Sequence, residues 1–276
     1  MTSPLISTTE LAARLNDPGL RIVDGSWHLD GRDARADFEA GHIPDAVFFD
    51  LNAISDHSTD LPHMLPDAAT FSVAAGALGI AETDTIVVYD TAGLFSAARV
   101  WWTFKVMGAG DVLVLDGGLP AWRAEDRPLE TGPAHPTPTR FAASLDASAV
   151  ADVPTVMAAL TGDAQVVDAR PPARFRGEQP EPRSGLRPGH MPGAVNLPMK
   201  SVLDDTGRLK RGPELEASFV QAGVDPDRPI VTTCGSGVTA AVLTLALAEL
   251  GRDSRLYDGS WAEWGGRDDL PVEIGS

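Results

Sequence analysis

One cysteine, two tyrosines and 22 basic residues against 39 acidic ones set the first limits on this chain of 276 residues. A lone thiol, Cys234, excludes an internal disulfide and with it the framework of a small cysteine-rich secreted domain. The shortage of Lys and Arg leaves a formal net charge of -17, which argues against nucleic acid or an acidic membrane surface as the main partner. Any anionic ligand must therefore be drawn in by local positive groups. No stretch approaches the ~20 consecutive apolar residues of a membrane-spanning helix. The start, MTSPLISTTELAARL, has neither the basic segment nor the apolar core of a secretory leader. A cytoplasmic protein is expected. What is present, 43% hydrophobic and 22% charged residues, is an ordinary globular mixture long enough for two domains.

Four blocks of the first half recur in order in the second. IVDGSW, GHIPDAVFFDL, TIVVYD and VLVLDGGLPAW are answered by VVDARP, GHMPGAVNLPM, PIVTTC and SRLYDGSWAEW. Asp24 and Asp168 lie 144 positions apart, His42 and His190 148, and Trp122 and Trp264 142. Near-constant spacing indicates an internal duplication. The Pro- and Thr-rich TGPAHPTPTR (131–140) between the copies reads as a connector. The expected organisation is a first unit over 1–134, a linker over 135–146 and a second unit over 147–276.

Within each copy, short β-branched runs alternate with longer helical patterns. IVVYD (86–90), VLVLD (112–116), QVVDA (165–169) and IVTT (230–233) are candidate buried strands. SAARVWWTFKVMG and VTAAVLTLALAELG carry apolar residues at helical spacing and end on Gly108 and Gly251. Such alternation predicts α/β units, each a mainly parallel sheet covered by helices on both faces. Ligands of these sheets bind outside the carboxyl ends of the strands, which is where Cys234 falls.

Gly235 and Gly237 permit a tight turn after the strand. The amides of Gly235, Ser236, Gly237, Val238 and Thr239 are then placed to curl around the sulfur, and a helix expected to begin near Val238 adds its positive end. Those surroundings favour a thiolate and a charged sulfur adduct. A buried, inert cysteine is the competing reading, and spacing alone leaves both open. The duplication favours the first. Position 90, aligned with Cys234 at a spacing of 144, is Asp, which suggests one active half and one supporting half.

CGSGVTA (234–240), the two GH-[IM]-P-x-A-V blocks, SDHSTDLPHMLP (55–66), EPRSGLRPGH (181–190) and LYDGSWAEWG (256–265) together resemble the two-domain rhodanese-like sulfurtransferases. Within that family CGSGVTA is similar to the 3-mercaptopyruvate branch, whereas thiosulfate-using members carry basic residues just after the cysteine. The resemblance implies two tandem rhodanese-like domains with the active cysteine in the second. It implies a small-molecule sulfur donor, a Cys234 persulfide, and a thiol acceptor such as a thioredoxin-like protein, or cyanide, with no cofactor. Thiosulfate as donor to the same cysteine is the alternative. The resemblance further implies that Arg174 and Arg183 bind the donor's carboxylate and carbonyl end, a task suited to the planar guanidinium fork. Their competing role is an ion pair with Glu178 or Glu181. Ser236 and His63 match two members of a family proton relay. The third member, an aspartate, is replaced by Asn52, which cannot act as a carboxylate base and at most orients the imidazole.

Other candidates read as structural. His42 and His190 repeat in both halves, including the half without sulfur, and suit turn positions. Trp101, Trp102, Trp261 and Trp264 suit cores or a domain interface, and no family role attaches to Arg176 or Arg187. One Cys and scattered His residues lack a zinc spacing. No phosphate-binding GxxxxGK[ST] or GxGxxG stands in a suitable setting. A rhodanese-related phosphatase needs C-x5-R, and the required position here is Ala240.

Overall fold

The computed structural model describes residues 3–275. Two compact units form. Unit 1 takes in Met1–Asp56, Leu65–Asp146 and Asp205–Arg208, and unit 2 His57–Met64, Ala147–Asp204 and Leu209–Ser276.

Unit 1 contains strands β1 (Leu5–Ile6), β2 (Leu20–Asp24), β3 (Ala46–Phe48), β4 (Thr85–Tyr89) and β5 (Asp111–Leu115). They form one sheet in the order β1-β5-β4-β2-β3, with every neighbouring pair parallel. Helices α1 (Thr8–Arg14), α2 (Ala34–Ala40), α3 (Ala68–Ala77), α4 (Ala97–Val106) and α5 (Gly118–Ala124) connect them. Unit 2 repeats the plan. Its strands β6 (Val150–Ala151), β7 (Gln165–Asp168), β8 (Val195–Asn196), β9 (Ile230–Thr233) and β10 (Arg255–Tyr257) lie in the order β6-β10-β9-β7-β8, again all parallel. Its helices are α6 (Val153–Thr161), α7 (Pro172–Phe175), α8 (Gly212–Gln221), α9 (Ala240–Glu249) and α10 (Ser260–Trp264).

The central strands β4 and β9 explain the unbroken β-branched runs. Covered on both faces, they bury Ile86 to Tyr89 and Ile230 to Thr233, so neither alternates with polar residues. Helix α9 is buried along Ala240 to Leu247, which is why its sequence is apolar on every face. Asp33, Asp67 and Asp152 accept amide hydrogen bonds at the starts of α2, α3 and α6, and Ser7 forms a capping box with Glu10 at α1.

Trp101, Trp102, Trp261 and Trp264 are all buried core residues. His42 and His190 do the same work in each unit. Their Nδ1 atoms lie 2.8 Å from Phe38 O and 2.9 Å from Phe175 O, and each ring stacks on the same phenylalanine at 3.9 Å.

Residues 135–146, expected as a linker, pack against unit 1. Thr139 N–H donates to Gly76 O at 2.9 Å and Ser144 N–H to Met107 O at 2.9 Å. Phe141 is fully buried, meeting Phe71 edge-on at 5.3 Å. Burial of such a ring contributes roughly 1.5–3 kcal/mol. At Gly76 a Cβ would stand 2.6 Å from Thr139 O, so only glycine admits the strand-like segment this closely.

Candidate active site

Cys234 follows the central strand β9 at its carboxyl end, and its side chain is buried. The turn depends on Gly237, whose φ of +75° is left-handed. Gly235 serves differently: a Cβ there would lie 3.0 Å from Arg174 Nη2. Helix α9 begins at Ala240, with Thr239 as its N-cap, rather than near Val238. The left-handed step at Gly237 delays the helical hydrogen-bond ladder, so Val238 and Thr239 remain in the turn. This leaves the loop rich in donors. Among the described residues, none of the amides of Gly235, Ser236, Gly237, Val238 or Thr239 donates to a protein acceptor. Unpaired buried amides are costly, and a series of them in one turn suits a negative charge.

Ser236 is buried, and its Oγ lies 3.2 Å from His63 Nδ1. His63 is itself buried and holds a left-handed φ of 62°, unusual for a residue with a Cβ. It belongs to the 57–64 segment counted with unit 2. Asn52 is exposed, and its N–H donates to the Asp50 carboxylate at 3.1 Å.

The two arginines differ. Arg174 is paired with Glu181 through Nε at 3.2 Å and through a closer Nη2 contact, so the ion-pair role is realised, and its Nη2 would lie 3.0 Å from a Cβ at Gly235. Arg183 is half-buried and, among the described residues, makes no hydrogen bond or ion pair. Burial lowers its pKa, the neighbouring Cys234 and Glu181 oppose that, and the Arg174 charge adds to it. The guanidinium thus stands in the electrostatic field of the thiol and is uncommitted to the protein. Arg176 forms an exposed pair with Glu178, and Arg187 donates to the carbonyls of Trp264, Gly265, Arg267 and Leu270. Neither contributes to the loop. Among the described residues no three His, Cys, Asp or Glu side chains gather as a metal site.

A family model for the rhodanese-like domain matches residues 7–125 and again 153–267. The chain belongs to the rhodanese-like family. Over 99% of its length it is 45% identical to the 3-mercaptopyruvate sulfurtransferase of Escherichia coli K12, covering 98% of that protein. Over 92% it is 44% identical to the human protein of the same name, covering 87% of it. Among solved structures, SseA from Escherichia coli matches with a TM-score of 0.87 at 42% identity, covering 94% of this chain and 99% of that one. Tum1 from Saccharomyces cerevisiae matches with a TM-score of 0.90 at 30% identity over the full length of both.

Three residues of this rhodanese-like site were not singled out from sequence. Arg170 is buried, forks onto Asp168 at 2.7 to 3.2 Å, donates to Gly189 O, and lies 4.2 Å over the Trp261 ring. Burial works against its charge, but Asp168 and Glu181 outweigh that and hold its pKa above the usual value. Glu181, considered only as a partner for surface charge, is a buried carboxylate shared by Arg170 and Arg174. Ser260 sits at a left-handed φ of 49° behind the thiol. Its Oγ accepts from Cys234 N–H at 3.4 Å and donates to Tyr257 O at 2.8 Å. The available signal was the contrast of DGG at 116–118 with DGS at 258–260: the aligned Gly118 also has a positive φ, of 55°.

Proposed function

We propose that this chain moves sulfur from 3-mercaptopyruvate, through a persulfide on Cys234, to a thiol or to cyanide, releasing pyruvate. The observation that carries the reading is the loop: the sole thiol stands in a turn whose five following amides have no protein acceptor among the described residues, in the field of the unpaired Arg183. The names of the 45% and 44% identical relatives support the choice of donor.

In this mechanism the Cys234 thiolate attacks the donor sulfur. The S–S bond forms as the C–S bond breaks, and the electron pair passes to the pyruvate enolate, which takes up a proton. Arg183 and the free edge of Arg174 hold the donor's carboxylate end. The Ser236 hydroxyl and His63 ring handle the proton, and the loop amides stabilise the charged persulfide. The acceptor, a thioredoxin-like thiol or cyanide, then attacks the outer sulfur and returns Cys234 as thiolate. A chain with a single thiol suits a reducing compartment, which supports the cytoplasm as the setting of this reaction. No helix among the described residues is long and apolar enough to cross a membrane.

Donor choice follows from charge. Thiosulfate is a compact dianion, and Gly235 and Ser236 put no cation against it, whereas mercaptopyruvate separates its carboxylate from its sulfur. Side-by-side kinetics should favour mercaptopyruvate in kcat/KM by roughly 10²-fold, a few kcal/mol of differential binding. Mass spectrometry after donor exposure should find one added sulfur on Cys234. Equal or faster use of thiosulfate overturns the donor, and an unmodified Cys234 in an active preparation overturns the route.

A further inference from the structure

We infer that Glu181 is a positioning residue, whose buried carboxylate fixes the Arg174 guanidinium against the cysteine loop. The side chain of Glu181 is 1% exposed, and so is that of Arg170. Oε1 accepts from Arg170 Nη1 at 2.9 Å and from Arg174 Nε at 3.2 Å, while Oε2 accepts from Arg174 Nη2. Arg170 is in turn immobilised by Asp168, the last residue of β7, by Gly189 O and by the Trp261 ring. A chain of charged contacts therefore runs from the sheet through Asp168, Arg170 and Glu181 to Arg174, whose Nη2 reaches the space beside Gly235.

Two consequences follow from the geometry. A long side chain such as Arg174 has many rotamers to lose when it is fixed. Here that freedom is removed before any donor arrives. Glu181 also occupies the Nε edge of the fork, so an incoming carboxylate meets the Nη1 end of Arg174, together with Arg183. The charges of Arg170 and Arg174 are matched by Asp168 and Glu181, so Arg183 supplies the unmatched guanidinium that an anionic donor meets.

This role rests on reading Arg174 as a donor-binding group, and the test separates the two. Glu181→Asp keeps the charge but is one methylene too short to hold Arg170 and Arg174 together. In the full-length chain it should lower kcat/KM for mercaptopyruvate about tenfold, mainly through KM. Transfer from the preformed persulfide to cyanide should keep the parent rate, which a general loosening of the fold would not spare. The second readout needs no turnover: alkylation of Cys234 by anionic iodoacetate relative to neutral iodoacetamide. That ratio should fall roughly two- to fivefold in Glu181→Asp as Arg174 withdraws. In an Arg174→Ala background Glu181→Asp should change neither readout. Gly235→Ala approaches the same guanidinium from the loop side and should raise KM several-fold, because Arg174 is held and cannot give way. This arm stands if Glu181→Asp fails to fold. Parental values in Glu181→Asp, an undiminished effect in the Arg174→Ala background, or an unchanged KM in Gly235→Ala overturns the clamp. A parent that ignores mercaptopyruvate overturns the donor reading alone, and the alkylation ratio still decides Glu181.

Discussion

Asp90 and Cys234 occupy one place in two copies of the same frame. Each follows the central strand of a five-stranded parallel sheet. Each passes its carbonyl to the next turn, accepting from Leu119 N–H at 2.9 Å in unit 1 and from Trp261 N–H at 2.9 Å in unit 2. The loops diverge in what they enclose. The Asp90 carboxylate accepts from Ala92 N–H at 2.9 Å, Phe95 N–H at 2.7 Å and Ala97 N–H at 2.8 Å, while the amides that follow Cys234 have no protein acceptor among the described residues. The difference teaches what the turn is for. In unit 1 its amides hold the Asp90 carboxylate, and in the proposed reaction those of unit 2 hold the Cys234 sulfur and its persulfide. A second pair of positions follows suit. Asp24 is supported by Ser26, whereas its counterpart Asp168 is gripped by Arg170, the aligned residue of unit 2.

The sharpest way to break the comparison is to make the second loop like the first. Cys234→Asp should lower sulfur transfer by more than about 10³-fold, since a carboxylate cannot carry a persulfide. Its thermal melting should match or exceed the parent's, because the vacant amides gain an acceptor. A clear drop in melting temperature would mean that the two loops are not equivalent nests.

The reverse change empties the filled nest. Asp90→Ala should destabilise unit 1 by roughly 2–4 kcal/mol, as three amides lose their acceptor. Asp90→Asn should fall between, keeping one acceptor oxygen but turning an NH₂ group toward the remaining donors. Urea denaturation monitored by tryptophan fluorescence measures both, and a neutral Asp90→Ala would remove the argument from charge.

The smallest effect concerns Asp24. Burial raises its pKa to about 6, partly offset by Ser26 and Tyr89, against an unfolded value of 3.8. The native carboxyl therefore holds a proton that the unfolded chain releases, so its contribution is most favourable at low pH and is lost as pH rises from about 4 to 6. Asp24→Asn removes that penalty. It should stabilise the protein by about 1–3 kcal/mol at pH 7.5, with the gain vanishing toward pH 4. Denaturation midpoints across this range test the sign; a gain that is independent of pH would contradict it.

Much of this was legible in the sequence because it was written twice. The repeated blocks gave two α/β units, the buried runs gave β4, β5, β7 and β9, and the mismatch of Asp90 with Cys234 pointed to the loop proposed as the active site. Contacts set by chain reversal were not legible. Glu181 meets Arg170 and Arg174 through a turn-rich segment whose composition reads as solvated surface, and only the fold buries it. The start of α9 was missed by two residues because local pattern does not reveal that Gly237 turns left-handed. Composition did not reveal the packing that follows the Pro- and Thr-rich 131–140, where Phe141 anchors the segment in a cluster of rings.

Residues 57–64 come from the first repeat in chain order and pack with the second unit, bringing His63 to Ser236. Asp205–Arg208 make the opposite crossing. The two copies are therefore not a working part and a spare. A fragment encoding only the half with the thiol would leave Ser236 without its ring partner, so the copy without sulfur still supplies a neighbour to the cysteine loop.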